Sequence, residues 1–153
     1  MISATRFHDF SAGHRVVGHE GKCIHFHGHN YRAHFTVVAT GTTPLDDCGR
    51  VLDFSVINTH LCHWLEDNWD HKMILWEDDP FSKMLDRWDS FGVCIVPFNP
   101  TAENMAKHLV EVVGPAQLRL TRCELVTVTM EETRKCSATY TKGDAHDLRN
   151  LVY

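Results

Sequence analysis

No stretch of this 153-residue chain approaches the roughly 18 apolar residues that a membrane-spanning helix requires. The opening MISATRFHDF lacks the charged-then-apolar pattern of a secretory leader, so a cytosolic protein is expected. No Lys/Arg cluster occurs, and the formal net charge is -5, which argues against nucleic acid as the main partner. An anionic small molecule remains compatible with that charge, because a local pocket can be positive on an acidic protein. CxxC spacing is also missing. The cysteines at 23, 48, 62, 94, 123 and 136 therefore read as free thiols rather than a disulfide framework. Repeats, low-complexity tracts and linkers are lacking too, which points to one domain over residues 1–153.

What the chain has in excess is histidine. Of twelve, His14, His19, His25, His27 and His29 fall within sixteen positions. Histidine clustered at alternating spacing suits a metal centre, since imidazole is a common zinc ligand.

Residues 4–14 alternate as a strand, with Phe10, Ala12 and His14 on one side. From Asn30 to Thr40 the odd positions Tyr31, Ala33, Phe35, Val37 and Ala39 are apolar, predicting a half-buried antiparallel strand. A turn follows, punctuated by Pro44 and Gly49. Ser55 is the expected cap of a helix running to about Asn68, with Ile57, Leu61, Trp64 and Leu65 as its buried stripe. After Pro80 a short helix carries Phe81, Met84, Leu85 and Trp88, and GVCIVPF is a short strand. Thr101 caps a second long helix burying Met105, Leu109 and Val113, which Gly114-Pro115 is expected to stop. Residues 122–132 and 135–141 read as two further strands, followed by a polar tail. Strands at both ends around grouped helices imply an α+β fold: a four-stranded antiparallel sheet with two long helices on one face.

Within Cys23-Ile24-His25-Phe26-His27-Gly28-His29, extended backbone puts alternate histidines on one side, and Gly28 offers room for the chain to bend. Parity leaves two pairs open, His25/His27 and His27/His29. His14 ends the first strand on its apolar side, where a hairpin-like pairing can bring it alongside. Three neutral imidazoles and an open fourth position make a catalytic zinc site rather than a closed structural one. Cys23 has two readings from chemistry alone, as a fourth ligand or as a free thiol acting as base or nucleophile. Asp70-His71 is either a solvated loop or a pair closed by a turn. Glu132 shares parity with Val126, Val128 and Met130, and an inward carboxylate needs a cationic or hydrogen-bond-donating partner. Glu131 faces the other way and is expected to be merely solvated.

Several separated motifs, in order, resemble the 6-pyruvoyltetrahydropterin synthase superfamily over nearly the whole chain. They are Phe10-Ser11-Ala12-Gly13-His14-Arg15, the C-x3-H-G-H run Cys23–His29 with Asn30-Tyr31, Val51-Leu52-Asp53-Phe54, Asp70-His71, Pro100-Thr101-Ala102-Glu103-Asn104 and Glu132-Thr133. Within that superfamily the three-residue gap between Cys23 and His27 is similar to the group that forms 6-carboxytetrahydropterin for queuosine biosynthesis. The resemblance implies zinc on His14, His27 and His29, with Cys23 as the catalytic thiol and Asp70 and His71 as its proton relay. It also implies Glu132 as the pterin anchor, and Thr101 and Glu103 as pocket residues. The implied fold is the tunnelling fold, whose subunits form trimers around a β-barrel and stack as a homohexamer with active sites between subunits. The implied substrate is 7,8-dihydroneopterin triphosphate, a pterin triphosphate. The segment from Ile74 to Phe98 and the tail after Tyr140 are longer than in compact members and are expected to modify the rim or subunit contacts.

Three other functions compete. A 6-pyruvoyltetrahydropterin synthase uses the same substrate; a non-catalytic zinc or pterin-binding module keeps only the fold. An unrelated zinc hydrolase on the HxH pair needs a carboxylate base near zinc and leaves Glu132 unexplained.

Overall fold

The computed structural model describes residues 2–143, so the polar tail beyond Gly143 lies outside the described residues. Six strands form one curled mixed sheet: β1 Ala4–His14, β2 His27–Ala39, β3 Lys72–Trp76, β4 Val93–Val96, β5 Cys123–Thr133 and β6 Cys136–Thr141. Their order across the sheet is β4-β3-β1-β2-β5-β6. The expected antiparallel four are β1, β2, β5 and β6. The α+β class stands, but the strand count does not. β3 adds parallel to the last residues of β1, and β4 adds parallel to β3. β3 carries no alternation to announce it. KMILW has a continuous apolar run, because Ile74 and Leu75 are both fully buried.

Period-two burial builds the antiparallel part. Phe10, Ala12 and His14 on β1 and Tyr31, Ala33, Phe35 and Val37 on β2 all turn toward the helices. The register pairs Phe10 with Tyr31, whose rings stack at 5.2 Å, and His14 with His27. On β5 a bulge skips Val126, between the pairs Thr36–Thr127 and Val37–Leu125. Leu125 and Val128 consequently face the core although their spacing is odd, and Val126 is only half-buried.

Two long helices pack on that inner face, over residues 54–68 and 102–118, each interrupted by a π turn, Asn58–Cys62 and Leu109–Val113. Ile57, Leu61 and Leu65 from the first, and Met105, Leu109 and Val113 from the second, enter the core with Trp69. The first helix is capped by Asp53, not Ser55: the Asp53 carboxylate accepts from the Ser55 N–H. Thr101 caps the second by accepting from the Asn104 N–H. Gly114-Pro115 does not end that helix, which continues to Leu118. The π turn closes with the Gly114 N–H on the Leu109 carbonyl, and this wider turn accommodates Pro115. Gly114 itself permits close packing on β5, since a Cβ there would sit 2.8 Å from Leu125 Cβ. Among the described residues no helix is long and apolar enough to cross a membrane.

Candidate metal centre and flanking cavities

The antiparallel β1–β2 ladder sets His14 directly opposite His27, with His29 across from Ala12 on the same face. Gly28 lies in regular strand opposite Gly13 rather than at a bend. A Cβ at Gly28 would come within 3.0 Å of the Ala12 carbonyl oxygen, so close strand approach explains the glycine. β2 starts at His27, leaving His25 in the preceding loop with an exposed ring. The ligand atoms of His14, His27 and His29 all lie within 4.8 Å of one another.

Ring geometry selects which nitrogens face inward. His14 Nδ1 donates to the Pro100 carbonyl at 2.7 Å, and His27 Nδ1 donates to the His25 carbonyl at 2.7 Å. Both Nε2 atoms are then bare acceptors, yet they stand 3.1 Å apart. Two lone pairs at that distance repel unless a cation lies between or beside them. His29 Nε2 is buried with no hydrogen-bond partner. A divalent cation answers both features, and carbonyl-oriented imidazoles are the usual arrangement around zinc. The residues present therefore fit the metal.

Burial holds the His14 and His29 imidazoles neutral, pushing both below the ordinary histidine range. On His14 the Pro100 carbonyl and the Glu132 carboxylate act in the opposite direction without reversing it. Glu132 Oε1 lies 3.6 Å from His14 Nε2 and 3.9 Å from His29 Nε2. It occupies a second bulge, between the pairs Glu131–Ser137 and Thr133–Cys136. That extra residue turns the carboxylate toward the histidines, whose neutral rings and bare Nε2 atoms donate no proton to it. Tyr31 packs edge-on against both His14 and His29, and burial pushes its hydroxyl far above the usual tyrosine range.

Cys23 sits in the short 3-10 turn Lys22–Ile24 and is half-buried. It lies outside the histidine group and lines a cavity of about 320 Å³ with Thr101, Glu103, Glu132 and a second thiol, Cys136. The Val16 N–H donates to the Cys23 carbonyl at 2.8 Å, tying this turn to the end of β1.

Asp70 and His71 lie elsewhere. A left-handed backbone at His71, φ 56°, makes the turn that lets adjacent side chains pair, with His71 Nδ1 donating to Asp70 at 2.8 Å. The Ser11 N–H donates to the other Asp70 oxygen at 2.8 Å, and the His71 N–H donates to the Ser11 carbonyl at 2.6 Å. Burial raises the Asp70 pKa, but the Ser11 N–H and His71 outweigh it and hold the carboxyl below its ordinary value. The His71 ring is 82% exposed and borders a polar cavity of about 780 Å³ with Ser11, His29, Asn30, Arg32 and Glu132. Within one chain the structure thus brings Cys23 and Asp70-His71 into different cavities, with Glu132 bordering both. Glu131 also lines the larger cavity and is bonded to His34 Nε2 at 2.6 Å, so it is not a solvated bystander.

Asn99 was not singled out by motif, yet its side chain accepts from the Val17 N–H at 3.0 Å and donates to the Val17 carbonyl at 2.8 Å. It fixes the loop leaving His14 against the second helix. Its position just before Pro100-Thr101 was the available signal.

Residues 3–143 match the family model described as 6-pyruvoyl tetrahydropterin synthase. A relative from Rickettsia typhi, named 6-carboxy-5,6,7,8-tetrahydropterin synthase, is 36% identical over 137 residues, covering 89% of this chain and 97% of its own. One from Halobacterium salinarum, named as a probable 6-carboxy-5,6,7,8-tetrahydropterin synthase, is 33% identical, covering 84% and 79%. Among solved structures, an uncharacterized protein from Wolinella succinogenes superposes with TM-score 0.79 at 21% identity, covering 93% of this chain and 98% of that one. The 6-pyruvoyl tetrahydropterin synthase of Caenorhabditis elegans superposes with TM-score 0.64 at 23% identity, covering 93% and 96%.

Proposed function

The chain belongs to the 6-pyruvoyl tetrahydropterin synthase family, and from that premise we propose that it is a zinc-dependent lyase making 6-carboxytetrahydropterin. Its substrates are 7,8-dihydroneopterin triphosphate and one water, and acetaldehyde and triphosphate leave. The observation that carries this reading is the name shared by relatives 33% to 37% identical over most of the chain. The inward-facing imidazoles of His14, His27 and His29 support the metal dependence.

Bound zinc supplies Lewis-acid polarisation of the substrate's side-chain oxygens, which acidifies the neighbouring C–H. Cys23, beside the histidines but outside their group, takes and returns the proton. His71, oriented by Asp70, performs the complementary acid–base step. Glu132 accepts hydrogen bonds from the pterin ring N–H and exocyclic amine, a donor pair that suits a carboxylate. Thr101 and Glu103 line the cavity around Cys23.

Because Cys23 and His71 line different cavities of one chain, a second copy is proposed to supply one of them to each site. The proposed assembly is a trimer closed around a barrel and stacked as a hexamer, each subunit one domain. A cytoplasmic enzyme feeding queuosine or another 7-deazaguanine is the corresponding setting. The C-x3-H gap from Cys23 to His27 favours the carboxy product over the 6-pyruvoyl alternative.

Incubating zinc-loaded protein with dihydroneopterin triphosphate and weighing the product tests this. The expected pterin keeps one side-chain carbon, and acetaldehyde appears in equal amount. A product retaining all three carbons rejects the carboxy-forming assignment.

A further inference from the structure

Arg15 and Phe26 each adjoin a proposed zinc ligand in sequence, His14 and His27, and both are held from the connection between β3 and β4. Asp79 in that connection is a side chain with 0% exposure. Arg15 Nε lies 3.0 Å from one carboxylate oxygen, an ion pair without hydrogen-bond alignment, and the other oxygen accepts from the Phe81 N–H at 2.9 Å. A buried carboxylate is costly without a cation, and Arg15 is the cation that reaches it. The Arg15 guanidinium also lies 5.3 Å from the Phe26 ring centre and 5.0 Å from that of Phe81. The two rings meet edge to face at 5.7 Å. Arg15 is therefore gripped by one charge and two aromatic rings.

The grip bears on the histidines through covalent neighbours. Fixing Arg15 fixes the backbone leaving His14. Fixing Phe26 fixes the peptide that it shares with His25, and the His25 carbonyl is the acceptor that orients the His27 ring. Asp79 is itself anchored by its own N–H on the Trp76 carbonyl and by the Ser82 N–H on its carbonyl.

We propose that Asp79, Arg15, Phe26 and Phe81 form a clamp by which the β3–β4 connection positions His14 and His27 for zinc. The four are positioning residues, and the inference rests on the reading of the three histidines as a zinc site.

The test measures zinc affinity of the folded protein by competition with a chromogenic chelator, alongside the ligand-field absorption of the cobalt(II)-substituted form and the melting temperature without metal. Asp79→Asn removes the charge while keeping an acceptor for the Phe81 N–H. Phe81→Leu changes a 39% exposed residue, so the variant is expected to fold. Both should raise the zinc dissociation constant about tenfold or more, as loss of groups that orient metal ligands commonly does, and alter the cobalt spectrum. Arg15→Lys should retain more affinity than Arg15→Met, because it keeps the charge opposite Asp79. If the melting temperature drops while affinity and cobalt spectrum match the parent, the clamp is structural only and the inference is overturned. A parent protein that takes up no zinc overturns the metal reading and the inference with it. A parent that binds one zinc while both Asp79→Asn and Phe81→Leu bind equally well overturns the inference alone.

Discussion

If zinc occupies the proposed site it should stabilise the protein, and replacing His14 by Ala should abolish that effect. The three ligand atoms lie within 4.8 Å only because the β1–β2 ladder sets His14 against His27. The unfolded chain holds no such cluster, so zinc at the proposed site would bind the folded state selectively. At a free zinc concentration about a hundred times the dissociation constant, selective binding stabilises by about 2.7 kcal/mol. For a chain of this size each kcal/mol moves the melting temperature by about 2–4 °C, which predicts a rise of about 5–11 °C. Differential scanning fluorimetry with zinc and with chelator measures that difference. His14→Ala also leaves a cavity, so the quantity to compare is the zinc-dependent shift and not the absolute temperature. In His14→Ala the shift should vanish; in Cys23→Ala it should persist, because Cys23 stands outside the histidine group. A Cys23→Ala protein that stays folded but loses its zinc shift would make the thiol a ligand and refute this assignment of the site.

Acid should destabilise the metal-free protein. His14 and His29 have folded-state pKa values lowered from 6.5, so between those values and 6.5 the unfolded chain binds more protons. Their contribution is full above pH 6.5 and is lost as pH falls below it; urea midpoints that stay flat from neutral pH to pH 5 would contradict the burial argument. Glu132→Gln should raise KM for dihydroneopterin triphosphate about 10- to 100-fold, the scale of one charge-assisted hydrogen bond, with zinc content unchanged by atomic absorption. Cys23→Ala and His71→Asn, each inactive alone, should recover roughly a quarter of parental activity when co-assembled, if symmetric copies share each site. No recovery in mixed oligomers verified by mass would place both residues in one subunit's site.

The parts legible from sequence are those with a local cause. Alternation on β1 and β2 follows from one face being buried, and the stripes Ile57-Leu61-Leu65 and Met105-Leu109-Val113 follow from helical periodicity. The obscure parts depend on distant partners. β3 was missed because a short strand buried on both faces has no alternation. Gly114-Pro115 read as a stop because a π turn that tolerates proline leaves no composition signal. Between Asp53 and Ser55, both good caps, only the backbone at Asp53, extended with ψ 133°, decides. Glu132 turns toward the histidines for a reason that parity does not carry: Val126 is bulged out of the alternation, and Glu132 itself is the extra residue of another bulge.

The separation of Cys23 from His71 has the same origin. Motif order along the chain carries no information about which cavity a residue enters. Among the described residues three strand edges have no strand beside them: the outer edge of β4, the start of β1, and the outer edge of β6. β3 pairs only with residues 12–14 of β1, so among the described residues the outer edge of β1 from Ala4 toward Asp9 has no strand beside it, and β6 ends the sheet on the other side. In the proposed assembly the unpaired N–H and C=O groups of the last two would be met by joining the β6 edge of one copy to the β1 edge of the next. The same junction would bring the large polar cavity at His71 against a neighbouring copy, close to the Glu132 that both cavities share. Edge closure and completion of the proton relay are then one event, and the activity should depend on assembly.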